Sequence, residues 1–186
     1  MDTLIARLKE RIRWAPAIEC DSLCVYTNDA GEVLPPRRPN PTLSISEVEL
    51  VEAQLGFKLP TLVRRLCTEI ADGGYGPAWG INRVKHPPNL PFGPEWEIEM
   101  SVESWHRLYQ TENVRAWQPA YPERFIRFCE VGCGISICVD CTLDSGALFT
   151  DDPNDSQNPL QRMEETVEQW LWSWLIEKPW PTTIYS

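Results

Sequence analysis

The sequence predicts an α+β fold in which a mostly antiparallel sheet packs against helices. Three features indicate it: amphipathic helical spacing over residues 46–70, two apolar runs around a glycine turn at residues 125–141, and a Trp- and Leu-rich helical stripe near the end. Helices, then strands, then a helix are typical of α+β domains rather than of doubly wound sheets. With 186 residues and 42% hydrophobic content, the chain can form one domain with a substantial core.

The N-terminal region combines a helix with a proline-rich loop. Leu4, Leu8 and Ile12 recur at helical spacing with charged residues between them, which predicts an amphipathic helix. The segment PPRRPNP, residues 35–41, neither continues a helix nor pairs well in a sheet, so we predict an extended loop. We therefore expect residues 1–41 to form a helix and a loop that pack on a domain of residues 42–186.

The next helix is predicted to begin at Ser46. Glu49 lies three residues on and would complete a capping box, while Ile45 and Leu50 occupy the positions of a hydrophobic staple. Gly56 suits the left-handed conformation in which many helices end.

A second amphipathic helix is predicted after Pro60, because proline is well tolerated in the first turn of a helix. It should stop at the Asp-Gly-Gly sequence of residues 72–74, where glycine allows a positive φ. Short strands over residues 79–84 and 95–100 and a helix over residues 101–110 are expected to follow.

The clearest strand signal lies in the second half of the chain. Two apolar runs, residues 125–131 and 135–141, flank a Gly-Cys-Gly turn, which is typical of a β-hairpin. A third strand is expected at residues 147–149, followed by an acidic loop over residues 151–159. Apolar residues at helical spacing then predict one long helix over residues 160–176.

The charge of the chain narrows the classes of partner. Nucleic-acid-binding proteins carry clusters of Lys and Arg, so a net charge of −10 argues against that class, whereas it would attract a basic partner.

No apolar run reaches the roughly 18 residues of a membrane span, and the N-terminus lacks the pattern of a signal peptide. We therefore expect a cytoplasmic protein that contacts no membrane, with its seven cysteines as free thiols.

Four closely spaced cysteines raise the alternative of a zinc- or thiol-dependent enzyme: Cys129, Cys133, Cys138 and Cys141. Zinc sites usually place two ligand pairs on separate knuckles with a longer insertion, but only four residues separate the inner cysteines here. A reactive thiol needs a stabilised thiolate, commonly at a helix N-terminus, and a position within a strand offers none. The sequence therefore favours cysteines that fill the core, with neither a metal nor a cofactor.

The run of residues 46–80 resembles the SUKH superfamily of Smi/Knr-like domains. The matching residues are Glu49, Leu55, Gly56, Leu59-Pro60, Leu66 and Gly73-Gly74, then Gly132-Cys133-Gly134, Asp140 and Gly146. The resemblance covers most of residues 42–176. It implies an α+β domain without catalytic residues. Many bacterial members resemble immunity proteins that bind toxins, often nucleases, and fungal members resemble regulatory hubs.

The candidate partner-binding residues are acidic groups and aromatics beside the glycine turn: Tyr75, Trp79, Glu97, Glu99, Asp151, Asp152, Asp155, Glu164 and Glu165. The carboxylates would steer a basic partner and exposed rings would anchor it. The leading hypothesis is a non-enzymatic protein that neutralises a toxin such as a nuclease and works as a monomer or weak dimer. A regulatory or scaffold protein without a toxin partner is the alternative.

Overall fold

A computed structural model describes residues 1–14, 39–78, 80–87, 101–109 and 122–176 of the chain. The helices are α1 (Asp2–Trp14), α2 (Ile45–Leu55), α3 (Thr61–Arg65), α4 (Val102–Tyr109) and α5 (Val167–Leu175), and α3 continues into a π-helical turn (Leu66–Ile70). The strands are β1 (Phe125–Gly132), β2 (Ile135–Asp140), β3 (Ala147–Asp151) and β4 (Leu160–Thr166).

The strands form one antiparallel sheet in the order β1-β2-β3-β4. The predicted hairpin is confirmed as β1 and β2, and the predicted third strand as β3. Ile126, Ile137 and Leu148 line the face that packs against the helices. The chain is therefore an α+β domain with an antiparallel sheet, as the order of its sequence patterns predicted.

Helix α1 contributes directly to this core, where it packs against α5 and the π-helical turn. Leu4 and Leu8 are fully buried. Ion pairs flank them, since Arg65 Nη1 lies 2.6 Å from Asp2 Oδ1 and Lys9 Nζ lies 3.4 Å from a Glu69 carboxylate oxygen.

No helix in the described ranges is long and apolar enough to cross a lipid bilayer.

The predicted helix over residues 160–176 is wrong in its first half. The chain forms β4 over Leu160–Thr166 and turns into α5 only at Val167. Thr166 caps that helix, because its side chain accepts a hydrogen bond from the Gln169 backbone and the Gln169 side chain returns one. The apolar spacing fitted a helix equally well, and pairing with β3 decided the conformation.

The predicted start of α2 is also wrong, by two residues. Ser44 and Glu47 form the capping box, with Ser44 N donating to Glu47 Oε2 over 2.8 Å and Glu47 N donating to Ser44 Oγ over 3.3 Å. Ile45 and Leu50 are 65% and 57% exposed, so they form no staple. Gly56 ends the helix at φ +80, as predicted.

The capping box predicts a difference between two neighbouring serines. Ser44→Ala should lower the free energy of unfolding by about 1 kcal/mol, because it removes the acceptor for the Glu47 backbone N–H. Ser46→Ala, on the exposed first turn of the same helix, should change it by less than about 0.5 kcal/mol. Urea denaturation measures both, and a larger loss for Ser46→Ala would contradict the assigned cap.

The segment after the glycine turn is less regular than predicted. Within residues 80–87 only Ile81 pairs, in an isolated bridge with Cys129, and Asn82 N donates to Phe128 O over 2.7 Å. This segment thus lies along the outer edge of β1. The predicted strand over residues 95–100 lies outside the described residues, whereas the predicted helix after Ser101 is confirmed as α4.

Candidate partner-binding surface

Tyr75 does not lie on the surface, so its prediction as an exposed anchor is wrong. Its side chain is 3% exposed and belongs to the hydrophobic core. The glycine turn folds it inward, with Ile81 N donating to Tyr75 O over 2.6 Å. Within the described chain its hydroxyl has no hydrogen-bond partner, and burial raises the pKa of Tyr75 far above its ordinary value. Trp79, the second predicted aromatic anchor, lies outside the described residues.

Asp151 is buried as well, at the end of β3 rather than in an exposed loop. It pairs with Ser136 of β2 and is 2% exposed. Its Oδ2 lies 3.0 Å from Nη2 of Arg127, whose side chain is also buried. The pairing of two buried charges explains how a carboxylate is tolerated there, so the prediction that Asp151 is available to a partner is wrong.

Arg127 organises a polar layer that sequence reasoning missed. Its guanidinium carbon lies 3.9 Å from the centre of the Trp105 ring on α4, within cation–π range. Glu130 Oε2 accepts from Ser136 Oγ over 2.9 Å beside it. The signal in the sequence was a single arginine inside the apolar run FIRFCEV. Such a residue needs charged or aromatic partners when the strand is buried on both faces.

The predicted acidic loop is present over residues 152–159, and its own hydrogen bonds fix it. Asp152 N donates to Pro159 O over 2.7 Å and closes the loop at its base. Asn154 Nδ2 donates to Asp152 Oδ1 over 3.0 Å and to Cys133 O over 3.1 Å, which ties the loop to the β1–β2 turn. The loop and this turn therefore form one surface at the same end of the sheet.

Asp155 holds the other half of the loop. Its Oδ1 accepts hydrogen bonds from the backbone N–H groups of Asn158 and Gln157, each over 3.0 Å. Its Oδ2 accepts from Gln161 Nε2 over 3.1 Å. The bonds from Asn158 and Gln157 lower the pKa of Asp155 from its ordinary value. The loop thus presents an ionised carboxylate at neutral pH in a defined position.

The remaining predicted acids divide into two groups. Glu164 and Glu165 lie on β4 instead of a helix; Glu164 is exposed, whereas Glu165 is half-buried and accepts a hydrogen bond from Ser173 Oγ over 2.9 Å. Glu97 and Glu99 lie outside the described residues. Glu164 is therefore exposed, whereas Asp152 and Asp155 are half-buried on the acidic loop. They stay predicted binding residues.

The cysteines of the sheet occupy different environments. Cys129 and Cys138 are buried, Cys133 is exposed at the tip of the β1–β2 turn, and Cys141 is half-buried after β2. Burial, followed by the charge of Asp140, raises the pKa of Cys141 well above its ordinary value, which opposes thiolate formation. In the described part of the chain no three His, Cys, Asp or Glu side chains are grouped so that they could hold a metal ion.

His86 and Ser104 resemble a base and a nucleophile, because His86 Nδ1 lies 2.6 Å from Ser104 Oγ. Acyl-transfer chemistry also needs N–H groups directed at a developing oxyanion. At this helix N-terminus, Val102 N donates to Arg83 O over 2.8 Å and Glu103 N to Val84 O over 3.2 Å. Those donors are used in docking α4, and Ser101 Oγ accepts from Ser104 N over 3.1 Å, as an N-cap side chain does.

Asp72 is a buried acid at the glycine turn with a strongly shifted pKa. Its Oδ1 accepts from Val84 N over 2.6 Å, and its backbone oxygen accepts from Asn40 Nδ2 over 2.8 Å. It therefore joins three chain segments. Burial raises the pKa of Asp72 to about 6, and the hydrogen bonds from Val84 and Lys85 oppose this only in part.

The raised pKa of Asp72 predicts how stability depends on pH. The folded state binds this proton more tightly than the unfolded state, so the Asp72 contribution to the free energy of unfolding falls as pH rises through about 4 to 6. Between pH 4 and 7, the free energy of unfolding of the wild type should fall by roughly 2–3 kcal/mol relative to that of Asp72→Asn. Urea denaturation of both proteins across this range tests it, and a constant difference would contradict the assignment.

The comparison with known families agrees with this fold. No curated protein matches the chain. Residues 42–171 match the sequence model of the SMI1 / KNR4 family (SUKH-1), a range that begins just before α2 and ends within α5. Helix α1 lies outside the match although it packs into the same core. Because the matched range covers well over half of the sequence and includes the whole four-stranded sheet, the chain belongs to the SMI1 / KNR4 family (SUKH-1).

Proposed function

We propose that this protein binds and neutralises a protein toxin, such as a basic nuclease domain, and that it acts by binding rather than by catalysis. Membership of the SMI1 / KNR4 family supports a role in protein interaction. The observation that carries the proposal is the acidic loop of residues 152–159, which its own hydrogen bonds hold against the β1–β2 turn. A preformed loop loses little conformational entropy on binding.

Charge supplies the reason for a basic partner. The chain has a formal net charge of −10, and Asp152 and Asp155 place part of it on a loop whose hydrogen bonds define its shape. Such a surface speeds the encounter with a positively charged protein. A nuclease groove is lined by groups that bind phosphate, and carboxylates can occupy the same positions without being cleaved. Covering that groove would block its substrate.

The test is the salt dependence of association. The whole chain is used to capture its partner from the native cell, and stopped-flow mixing then measures the association rate of the purified pair. Asp152→Asn combined with Asp155→Asn should slow association about 5- to 10-fold at low salt, and the difference should shrink as salt screens the charges. Asparagine at position 155 retains the Oδ1 acceptor for the two backbone N–H groups of the loop and loses only the bond that Oδ2 accepts from the Gln161 side chain.

A matched control separates the loop from net charge alone. Glu10→Gln combined with Glu49→Gln removes the same two charges from exposed helical positions. This control should leave the association rate within about twofold of the wild type. Equal rates for the wild type and the loop variant at every salt concentration would refute the proposed role of the loop. Capture of an acidic, non-toxic partner would refute the proposed function itself.

A further inference from the structure

Helix α1 contacts the rest of the chain as a helical ligand contacts its receptor. It packs against α5 and the π-helical turn, and its buried stripe consists of Leu4, Ile5 and Leu8. Its opposite side, which includes Arg7 and Glu10, is exposed to solvent. An amphipathic helix that places apolar anchors from successive turns into a groove is a recurring mode of protein recognition.

The groove that receives α1 belongs to the family domain, whereas α1 does not. The two elements that form the groove contribute buried side chains to the core: Leu66 and Cys67 of the π-helical turn, and Trp170 and Leu171 of α5. All four lie within residues 42–171, the range that matches the family model. Residues 15–38 lie between α1 and the next described segment of the chain. Groove and occupant are therefore separate in the sequence.

Charged residues at the rim of the groove favour one direction and register of the helix. Arg65 and Glu69 form an ion pair on the domain, with Arg65 Nε 2.6 Å from Glu69 Oε1. Asp2, at the start of α1, places its Oδ1 2.6 Å from Arg65 Nη1. Lys9, two turns later, places its Nζ 3.4 Å from Glu69 Oε2. A helix that ran the opposite way would bring its base to Arg65 and its acid to Glu69, where like charges repel.

We propose that the groove between the π-helical turn and α5 is a helix-binding site whose built-in occupant is α1, and that an amphipathic helix of a partner protein can replace α1 there. The helix that fits carries leucines on successive turns, an acidic residue at its start and a basic residue two turns later. A connected α1 meets the groove at an effective concentration of the order of 1 mM. A partner helix must therefore bind more tightly than α1, which makes the site selective.

This site is separate from the acidic loop of the proposed toxin binding. The loop, residues 152–159, connects β3 to β4, whereas the groove is formed by the π-helical turn and α5. The test of the groove requires no toxin. Each proposal can consequently fail without the other.

A labelled synthetic peptide of residues 1–14 is the probe, and the full-length chain is the receptor. In the double variant Leu4→Asp, Leu8→Asp, the chain's own α1 should no longer enter the groove, because both positions are fully buried and a carboxylate is costly there. Fluorescence anisotropy should show that the peptide binds this variant with a Kd below about 100 µM. The wild-type chain should bind it at least about 10-fold more weakly, because its own α1 competes.

A second measurement covers the case in which the double variant is unfolded on its own. A ligand that binds only the folded state stabilises that state by mass action. About 1 mM peptide should therefore restore the circular dichroism spectrum of the wild type and raise the urea midpoint of the variant. A variant that neither binds the peptide nor regains structure at this concentration overturns the proposal.

Matched peptides test the buried stripe. A Leu8→Asp peptide should bind the double variant at least about 30-fold more weakly than the unchanged peptide, because position 8 is buried in the groove. An Ala6→Asp peptide carries the same new side chain at an exposed position and should stay within about threefold.

Exchanged charges test the rim. A peptide with Asp2→Lys and Lys9→Glu should bind about 3- to 10-fold more weakly, since both ion pairs are partly exposed. Adding Arg65→Glu and Glu69→Arg to the double variant should reverse that preference, because each rim position then faces an opposite charge again.

Three further results would overturn the proposal. Equal binding of the peptide to the wild type and the double variant would place it elsewhere on the chain. Equal binding of the Leu8→Asp and Ala6→Asp peptides would mean that no apolar groove receives the helix. A wild-type dimer that the peptide separates into monomers would make a second copy of the chain, instead of a partner protein, the occupant of the groove.

Discussion

Replacing Gly73 by alanine should lower the free energy of unfolding by about 4 kcal/mol or more, a large part of the roughly 5–15 kcal/mol that stabilises a typical domain. Gly73 has φ +74, a conformation that side chains rarely adopt. Its added Cβ would lie 2.5 Å from Arg83 N and 2.6 Å from Ile81 O. These atoms belong to the backbone and cannot rotate away. The glycine turn therefore crosses the next segment at a distance that only glycine permits.

Gly56→Ala provides the matched control for this prediction. Gly56 has φ +80, but nothing lies within 4 Å of its hypothetical Cβ. Its substitution should cost only the strain of the left-handed conformation, about 1–2 kcal/mol. Urea denaturation measures the loss of unfolding free energy in both variants. The difference between the two losses is the cost of the backbone clash at Gly73. Equal losses would mean that the crossing at Gly73 can open without penalty.

Breaking the buried ion pair should have the other large effect. Arg127→Met should lower the free energy of unfolding by about 3–5 kcal/mol, because it leaves the Asp151 carboxylate buried without its counter-ion. It also removes the cation that lies 3.9 Å from the Trp105 ring centre. Asp151→Leu should be similarly costly, since the guanidinium then loses its 3.0 Å partner.

The double variant Arg127→Met, Asp151→Leu distinguishes a coupled pair from two separate losses. It should be more stable than the sum of the single effects predicts, by about 2 kcal/mol or more, because neither member of the buried pair is left without the other. Asp2→Asn, which breaks the exposed Asp2–Arg65 pair, should have little effect on the same measurement. Additive single effects would contradict the coupling of Arg127 and Asp151.

Local sequence patterns identified most of the fold. The apolar stripe of α2 and its glycine cap were predictable because both are set within one helix, by 3.6-residue spacing and by the freedom of Gly56. The β1–β2 hairpin was predictable because two apolar runs meet at a glycine turn. The resemblance of residues 46–80 led to the same family that the comparison of residues 42–171 shows.

The failures occurred where a local pattern allowed two solutions. Ser44 and Ser46 each have a glutamate three residues later, so either could cap α2. The structure uses Ser44, and the local pattern around the two serines does not distinguish them. Residues 160–166 likewise fitted a helix or a strand, and the free edge of β3 selected the strand.

The candidate surface depended most on the tertiary structure. Nothing in the neighbouring residues revealed that Tyr75 turns inward. Asp151 meets Arg127 on a strand 24 residues away in the sequence, so that contact could not be foreseen either. The sequence by itself determined the family, the sheet-and-helix composition and the negative charge, all of which are sums or short-range patterns. Only the tertiary structure decided which charges reach solvent, because burial depends on what the rest of the chain places over each side chain.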